Sequence, residues 1–314
     1  MKIVIFGLGS IGLKHAGVLS DNFSHQLYAF RSNRTEMTNK GNIKNISSWK
    51  EVDQISPDIA LISNPTDLHI ATAIECARCG MHLFIEKPLG ASLKDLDKLL
   101  AVVKKKKLAT YVAYLLRFHP VVMYVKKILS AKKFLHMRVV TSSYLPSWRA
   151  GTDYRSGYSA SRKRGGGVIL DLSHELDYIS YITDGVKDVS AQFERRSDLT
   201  IDAEDFADIL VKTNKGPANL HINFFSHINK RQISVDFKDS SLTGDLLENK
   251  VCWYKKGKLL KTVKFKDGVQ DCLLKEWKYF LSNLNKRRMM NNVFEATVLF
   301  KKMHALKTGK TTYA

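Results

Sequence analysis

Cysteine is scarce, four residues in a chain of 314. That is too few for a disulfide framework at this length, and reduced thiols suit a reducing compartment. Cys76 and Cys79 are spaced as CxxC, but they fall inside a helix-like stretch with no second pair to complete a zinc site, so no metal is expected. No Pro-, Gly- or Ser-rich stretch marks a flexible linker, and no internal repeat is evident. Long apolar runs are missing too. Gly7 and Gly9 cut short the run that opens at Ile3-Val4-Ile5-Phe6, well before the length of a signal peptide or membrane span. These absences lead to the expectation of a cytoplasmic protein with no membrane partner.

Acidic residues are outnumbered, 30 against 50 basic ones, for a net charge of +20. The lysines are scattered along the chain, and the densest run, Lys104 to Lys107, closes an amphipathic helix where cations suit the helix dipole. No base-reading or base-stacking module accompanies them, so nucleic acid is not an expected partner. A solvated basic surface is the leading explanation, followed by an anionic substrate or a phosphorylated cofactor.

What is present suits two folded domains. Up to residue 118, short apolar strands alternate with helical patterns: strands at Lys2 to Phe6, Gln26 to Phe30, Ile59 to Ser63, His82 to Ile85 and Thr110 to Ala113, with helices near Ile11 to Ser20, Leu68 to Cys79 and Leu93 to Lys105. This is the pattern of a doubly wound parallel sheet covered by helices, an α/β fold. Residues 119–314 read differently: a helix (Val121 to Ser130), a strand (Phe134 to Ser143), a polar and aromatic loop to Gly167, and a helix from Val168 to Ile182. Strands with period-two alternation then run from Asp188 to Lys264, and helices at Gln270 to Leu284 and Val293 to Thr308 close the chain. The second domain is expected to be α+β, with a large, mostly antiparallel sheet.

Gly7-Leu8-Gly9-Ser10-Ile11-Gly12 is a GxGxxG placed between the first strand and the first helix. In that setting the glycines make a tight turn, let backbone N–H groups approach a pyrophosphate and allow close helix–strand packing, with the phosphates at the helix N-terminus. A site preferring NAD usually places an acid at the end of the second strand. Here the sequence reads Phe30-Arg31-Ser32-Asn33-Arg34, with no acid before Glu36. Arg31, Ser32 and Arg34 suit a 2′-phosphate, which favours NADP, with NAD as the alternative.

Asn64-Pro65-Thr66, His69, Glu86-Lys87-Pro88, Arg117-Phe118-His119-Pro120 and Gly165-Gly166-Gly167 complete a pattern that resembles the glucose-fructose oxidoreductase, inositol dehydrogenase and related Gfo/Idh/MocA family. The resemblance covers nearly the whole chain, and its substrate loop is similar to that of members associated with surface-sugar biosynthesis. It implies a Rossmann domain over 1–118 and a substrate-binding, oligomerising domain over 119–314. Gly7, Gly9, Ser10, Ile11, Gly12, Arg31, Ser32, Arg34, Asn64, Pro65, Thr66, His69, Glu86 and Lys87 would then surround the cofactor. By the same resemblance Lys87 is the proton-handling residue. Hydride transfer from a carbinol requires the hydroxyl proton to leave, and a lysine amine can take it. Pro88 keeps Lys87 extended at a strand end.

By the same resemblance His174 is the second catalytic candidate and Asp171 a third, with Glu175 a candidate on the substrate side. The family commonly spaces its Asp and His by four, whereas Asp171 and His174 are three apart and Glu175 takes the fourth position. On one continuous helix all three would share a face, so the division of labour among them is open. Tyr114, Arg117, Trp148, Arg149, Tyr154 and Arg155 are the other substrate-side candidates, since aromatic faces suit a sugar ring and guanidinium groups suit carboxylate or phosphate. Arg117 can equally brace the crossover between domains. The expected activity is NAD(P)-linked oxidation or reduction of a sugar, sugar acid, cyclitol or nucleotide sugar. The alternative is a cofactor-binding regulatory protein without turnover. A homodimer or homotetramer built through the C-terminal sheet is expected, with Leu220-Ile222-Phe224 and Ile233-Val235-Phe237 as apolar faces, unless these residues all face the protein's own helices.

Overall fold

The computed structural model describes residues 1–31, 43–149, 151–286 and 289–308. The chain forms two compact units, Met1–Ala113 with Leu273–Val298, and Tyr114–Cys272 with Leu299–Ala314.

In the first unit the order is β1 (Lys2–Phe6), α1 (Ser10–Asn22), β2 (Gln26–Phe30), β3 (Ile43–Ile46), α2 (Trp49–Ile55), β4 (Ile59–Ile62), α3 (His69–Arg78), β5 (His82–Glu86), α4 (Leu96–Lys106) and β6 (Thr110–Ala113). All strand pairs are parallel, in the order β3-β2-β1-β4-β5-β6. This is the Rossmann order, and it reverses between β1 and β4. The strands are apolar almost throughout because both faces of the sheet are covered; β4 is buried at every position.

Two elements of this unit escape the sequence pattern. β3 has only Ile43 and Ile46 buried, with Lys44 and Asn45 exposed between them, so neither period is visible; pairing with β2 makes it a strand. α2 begins with a capping signal that the pattern did not use: Ser48 accepts from the Glu51 N–H, and the Glu51 carboxyl reaches back to the Ser47 N–H.

The second unit contains α5 (Pro120–Ala131), β7 (His136–Tyr144), α6 (Val168–Asp171), α7 (Ser173–Ile182), β8 (Val186–Glu194), β9 (Phe206–Thr213), β10 (Pro217–Asn223), β11 (Phe225–Asp236), β12 (Ser241–Asp245), β13 (Lys250–Lys255) and β14 (Lys258–Lys264). Two further helices, α8 (Val269–Ser282) and α9 (Val293–Lys307), complete the chain. The eight strands run β14-β13-β12-β11-β7-β10-β9-β8, antiparallel except for the β7–β10 pair. One face is lined by Met137, Val139, Leu220, Ile222, Ile233 and Val235, all buried. This corrects the expectation that Leu220-Ile222-Phe224 and Ile233-Val235-Phe237 offer faces to a partner: all six are core residues. The large apolar residues exposed on the strands of this sheet are instead Leu210 on β9, Ile228 on β11 and Leu259 and Leu260 on β14.

The helix expected over Val168 to Ile182 is broken. Leu172, with φ −92° and ψ 31°, leaves helical geometry and separates α6 from α7. Among the described residues no helix is long and apolar enough to cross a membrane.

Candidate active site

The cofactor half lies at the C-terminal edge of the parallel sheet, where β1 and β4 end. Chain direction changes sharply at Gly7, whose φ of +99° is open to glycine, and a Cβ there would lie 2.5 Å from the Asn64 backbone. A Cβ on Gly12 would lie 2.1 Å from the Gly7 carbonyl oxygen. These two glycines are therefore required by packing. Gly9 is different, because a Cβ there meets nothing within 4 Å. It opens onto free space at the N-terminus of α1, a helix with no side-chain cap and no acid in its first turn. Unpaired N–H donors, a positive dipole end and open space fit a dinucleotide pyrophosphate. Ser10 is exposed and Ile11 half-buried at the same helix start.

The loop after β4 is tied to this turn. Ser63 donates to the Gly7 carbonyl at 2.8 Å, and Asn64 donates to Thr72 at 2.9 Å, while the Asn64 Oδ1 is buried without a partner. Pro65 is exposed and Thr66 buried. His69 lies with one ring nitrogen 2.9 Å from the Asn64 carbonyl and the other 2.9 Å from the Pro88 carbonyl, so it holds the loop after β4 to the turn after β5. Burial pushes its pKa down against the pull of those carbonyls. Arg31 is half-buried, and its N–H donates to the Ile46 carbonyl. Ser32 and Arg34, the other residues expected at a 2′-phosphate, lie outside the described residues.

Lys87 follows the last residue of β5 and is half-exposed. Its backbone is held by the preceding side chain: Glu86 accepts the Lys87 N–H at 3.1 Å through Oε2, and its Oε1 lies 2.7 Å from His15 Nε2. His15 Nδ1 lies 2.8 Å from the indole nitrogen of Trp277. An indole N–H only donates, so Nδ1 accepts and Nε2 carries the proton given to Glu86. The series Trp277, His15, Glu86, Lys87 is buried at its first three members and joins α8, α1 and β5. The Trp277 ring also stacks on Phe84 at 4.1 Å. Sequence reasoning missed His15 and Trp277. His15 reads as an ordinary position on α1, and Trp277 lies 262 residues away.

In the second unit the expected site residues have separate commitments. His174 is buried on α7 and meets Tyr114, also buried, edge to face at 5.5 Å. Asp171, on α6, accepts from Tyr158 at 2.8 Å and Ser159 at 2.5 Å. Burial and the adjacent Asp171 hold the Tyr158 phenol well above its usual pKa, so it stays a donor. Glu175 is fully buried; it accepts from Thr141 of β7 and pairs with Arg231 of β11, each at 2.9 Å, which ties α7 to the sheet. Leu172 thus separates Asp171, on α6, from His174 and Glu175, on α7.

Arg117 makes a two-pronged pair with Asp177, at 2.9 and 2.8 Å, with both side chains almost wholly buried. Its guanidinium also lies 5.0 Å from the Tyr181 ring. Both partners of this pair belong to the second unit.

The loop after β7 is a series of single 3-10 turns. Trp148 donates to Ser143 and packs edge-on against Phe224; Tyr154 accepts from the Thr200 N–H; Arg155 is paired with Asp153. Arg149 is exposed over the Tyr158 ring at 5.8 Å, with no carboxylate partner among the described residues. The recess lined by Trp148, Arg149, Thr152, Asp153 and Tyr154 measures about 20 Å³. Ligand pockets are commonly about 300 Å³ or more, so this recess alone does not hold a sugar.

Among the described residues no cluster of three or more His, Cys, Asp or Glu could hold a metal ion. Cys76 is buried, and burial raises its pKa well above that of an ordinary thiol, which leaves it a packing residue.

Residues 1–114 match the family described as an oxidoreductase family with an NAD-binding Rossmann fold, and residues 122–243 match the GFO/IDH/MocA C-terminal domain. The chain is 29% identical over 126 residues to a myo-inositol 2-dehydrogenase of Thermotoga maritima, a match covering 38% of this chain and 37% of that protein. It is 27% identical over 149 residues to a levoglucosan dehydrogenase of Pseudarthrobacter phenanthrenivorans, covering 46% and 38% respectively. The matches thus span well under half of these curated relatives. Over the whole fold it is similar to a UDP-N-acetylglucosamine 3-dehydrogenase from Acidithiobacillus ferrooxidans, with a TM-score of 0.81, 19% identity, and coverage of 98% of this chain and 97% of that one.

Proposed function

The chain belongs to the Gfo/Idh/MocA oxidoreductase family, and from that premise we propose that it moves a hydride between a nicotinamide dinucleotide and a hydroxyl-bearing or keto carbon of a sugar, sugar acid, cyclitol or nucleotide sugar. The observation that carries this reading is the fixed backbone of Lys87 at the end of β5, on the same sheet edge as an open helix N-terminus. When bound, the nicotinamide supplies the hydride acceptor or donor. The N-terminus of α1 and the space at Gly9 receive the pyrophosphate, with Asn64 Oδ1 an available acceptor beside the glycine turn. Lys87 takes the proton leaving the hydroxyl, or returns it in the reverse direction. His174 is the second proton-handling group. Asp171 acts by positioning, through its bonds to Tyr158 and Ser159, and Glu175 by bracing α7. The test is a panel of cyclitols, sugars, sugar acids and nucleotide sugars offered with NAD and NADP, read by nicotinamide absorbance. Cofactor binding without turnover on any member would favour a regulatory role on the same fold.

Arg31, with Ser32 and Arg34, is proposed to favour NADP. Arg31→Ala should weaken NADP binding about 10- to 100-fold, the worth of a hydrogen bond to a charged group, and leave NAD binding nearly unchanged. Calorimetric titration with both cofactors measures this, and a tenfold preference of the unaltered protein for NAD would refute it.

The exposed side of the large sheet is proposed to pair with a second copy in a homodimer or homotetramer. Leu210 and Ile228 supply its apolar contacts. Sedimentation at micromolar concentration should show the oligomer, and Leu210→Lys should shift it toward monomer. A monomeric unaltered protein would rule the interface out.

A further inference from the structure

The net charge of +20 has no role in the chemistry proposed above, and part of it is concentrated at one place in the fold. From Lys250 to Lys266 there are seven lysines and no acid. This stretch is the β13–β14 hairpin, and β14 is the end strand of the large sheet. Lys255, Lys256, Lys258, Lys261, Lys264 and Lys266 are exposed. Of the seven, Lys250 alone has an ion-pair partner among the described residues, Glu248.

Three features of the hairpin are unfavourable in water. Lys250 stands opposite Lys264, and Lys255 opposite Lys258, so like charges face each other across the strands. Lys256 occupies the turn with φ +48°, followed by Gly257 at φ +73°. Such a turn favours Asn-Gly, and a lysine there holds a conformation that side chains resist. Next to it Leu259 and Leu260 are 57% and 60% exposed. Lysines on an edge strand do discourage pairing with other strands. That accounts for the charge, but not for two adjacent leucines left in water beside the turn.

We propose that this hairpin docks on a membrane surface rich in acidic phospholipid headgroups. The anionic surface relieves the repulsion between facing lysines, and the boundary below the headgroups accepts Leu259 and Leu260. This departs from two expectations, a merely solvated basic surface and the lack of a membrane partner. Lipid fits better than nucleic acid because the exposed large side chains of the hairpin are aliphatic, whereas single-strand binding relies on aromatic stacking. The proposal is independent of the oxidoreductase reading, because none of these residues belongs to that site.

The experiment is flotation of the full chain with vesicles of phosphatidylcholine alone or mixed equally with phosphatidylglycerol, at low and high salt. Binding is expected to the mixed vesicles only, and to fall steeply as salt rises. The combined change Lys255→Glu, Lys256→Glu, Lys258→Glu and Lys261→Glu should weaken it by about tenfold or more. Leu259→Asn with Leu260→Asn should weaken it while retaining the salt dependence. Melting temperature serves as the folding control, and if the charge-reversed chain does not fold, the leucine variant and the salt series on the unaltered protein decide. Failure of the unaltered protein to float with anionic vesicles at low salt would overturn the proposal. So would equal binding by folded variants, or binding to a single-stranded RNA oligomer in place of vesicles.

Discussion

Replacing Lys87 with alanine is expected to lower turnover by about 10²- to 10⁴-fold, the usual contribution of a positioned proton-transfer group, while cofactor affinity changes little. The amine is the part removed. The backbone that carries it stays in place, because Glu86 grips the Lys87 N–H and not its side chain. Lys87→Arg separates charge from proton transfer: a guanidinium keeps the positive charge but does not give up its proton near neutral pH. It should therefore resemble the alanine variant in turnover. Steady-state kinetics on a substrate returned by the panel, with cofactor titration alongside, checks both changes. Near-normal turnover by Lys87→Ala would remove Lys87 from the chemistry.

The second large effect is expected at Glu86. Glu86→Ala leaves the His15 Nε2–H and the Lys87 N–H without their acceptor inside the first unit. The buried His15 donor left unsatisfied costs about 1–3 kcal/mol, and the part-buried Lys87 N–H, within reach of water, adds less, so a loss of roughly 1–3 kcal/mol on urea unfolding is expected. Glu86→Gln can satisfy one of the two donors but presents an amide N–H to the other, so it should fall between alanine and the unaltered protein. His15→Phe breaks the same series one link earlier, orphaning the Trp277 indole as well. Combining it with Glu86→Ala should cost less than the two separate losses added together, as expected for residues in one network. Strict additivity would show that the series does not act as a unit. These changes should also lower turnover, because the backbone at Lys87 loses its anchor.

Much of the cofactor half is legible in the sequence because its determinants are local. The apolar runs of β1, β2 and β6 end at the residues expected, and the glycines follow β1 directly. The physical demands on those glycines arise within one turn and one neighbouring loop: Gly7 lies against Asn64, and Gly12 against Gly7. The Lys-Pro step likewise marks the end of β5. β3 was hidden because four residues with buried ends carry no clear period, and α2 because its Ser48–Glu51 cap was overlooked.

The second unit gave less away. Asp171, His174 and Glu175 read as neighbours on one helix, yet the chain leaves helical geometry at Leu172. Asp171 is held by Tyr158 and Ser159, Glu175 by Thr141 and Arg231, and these partners come from other elements. Arg117 reads in two ways from the sequence, and no local pattern records its pair with Asp177, 60 residues away.

By itself, then, the sequence determined the parallel sheet, the glycine turn at the start of α1 and the position of Lys87 at a strand end, since periodicity, glycine and proline act over a few residues. Tertiary structure alone decided that Trp277 joins the first unit and supports His15 and Glu86 behind Lys87, and that Glu175 meets Thr141 and Arg231 while Arg117 meets Asp177. The reason is that a buried donor or acceptor must find its partner wherever packing brings one, and no local pattern records which distant residue that will be.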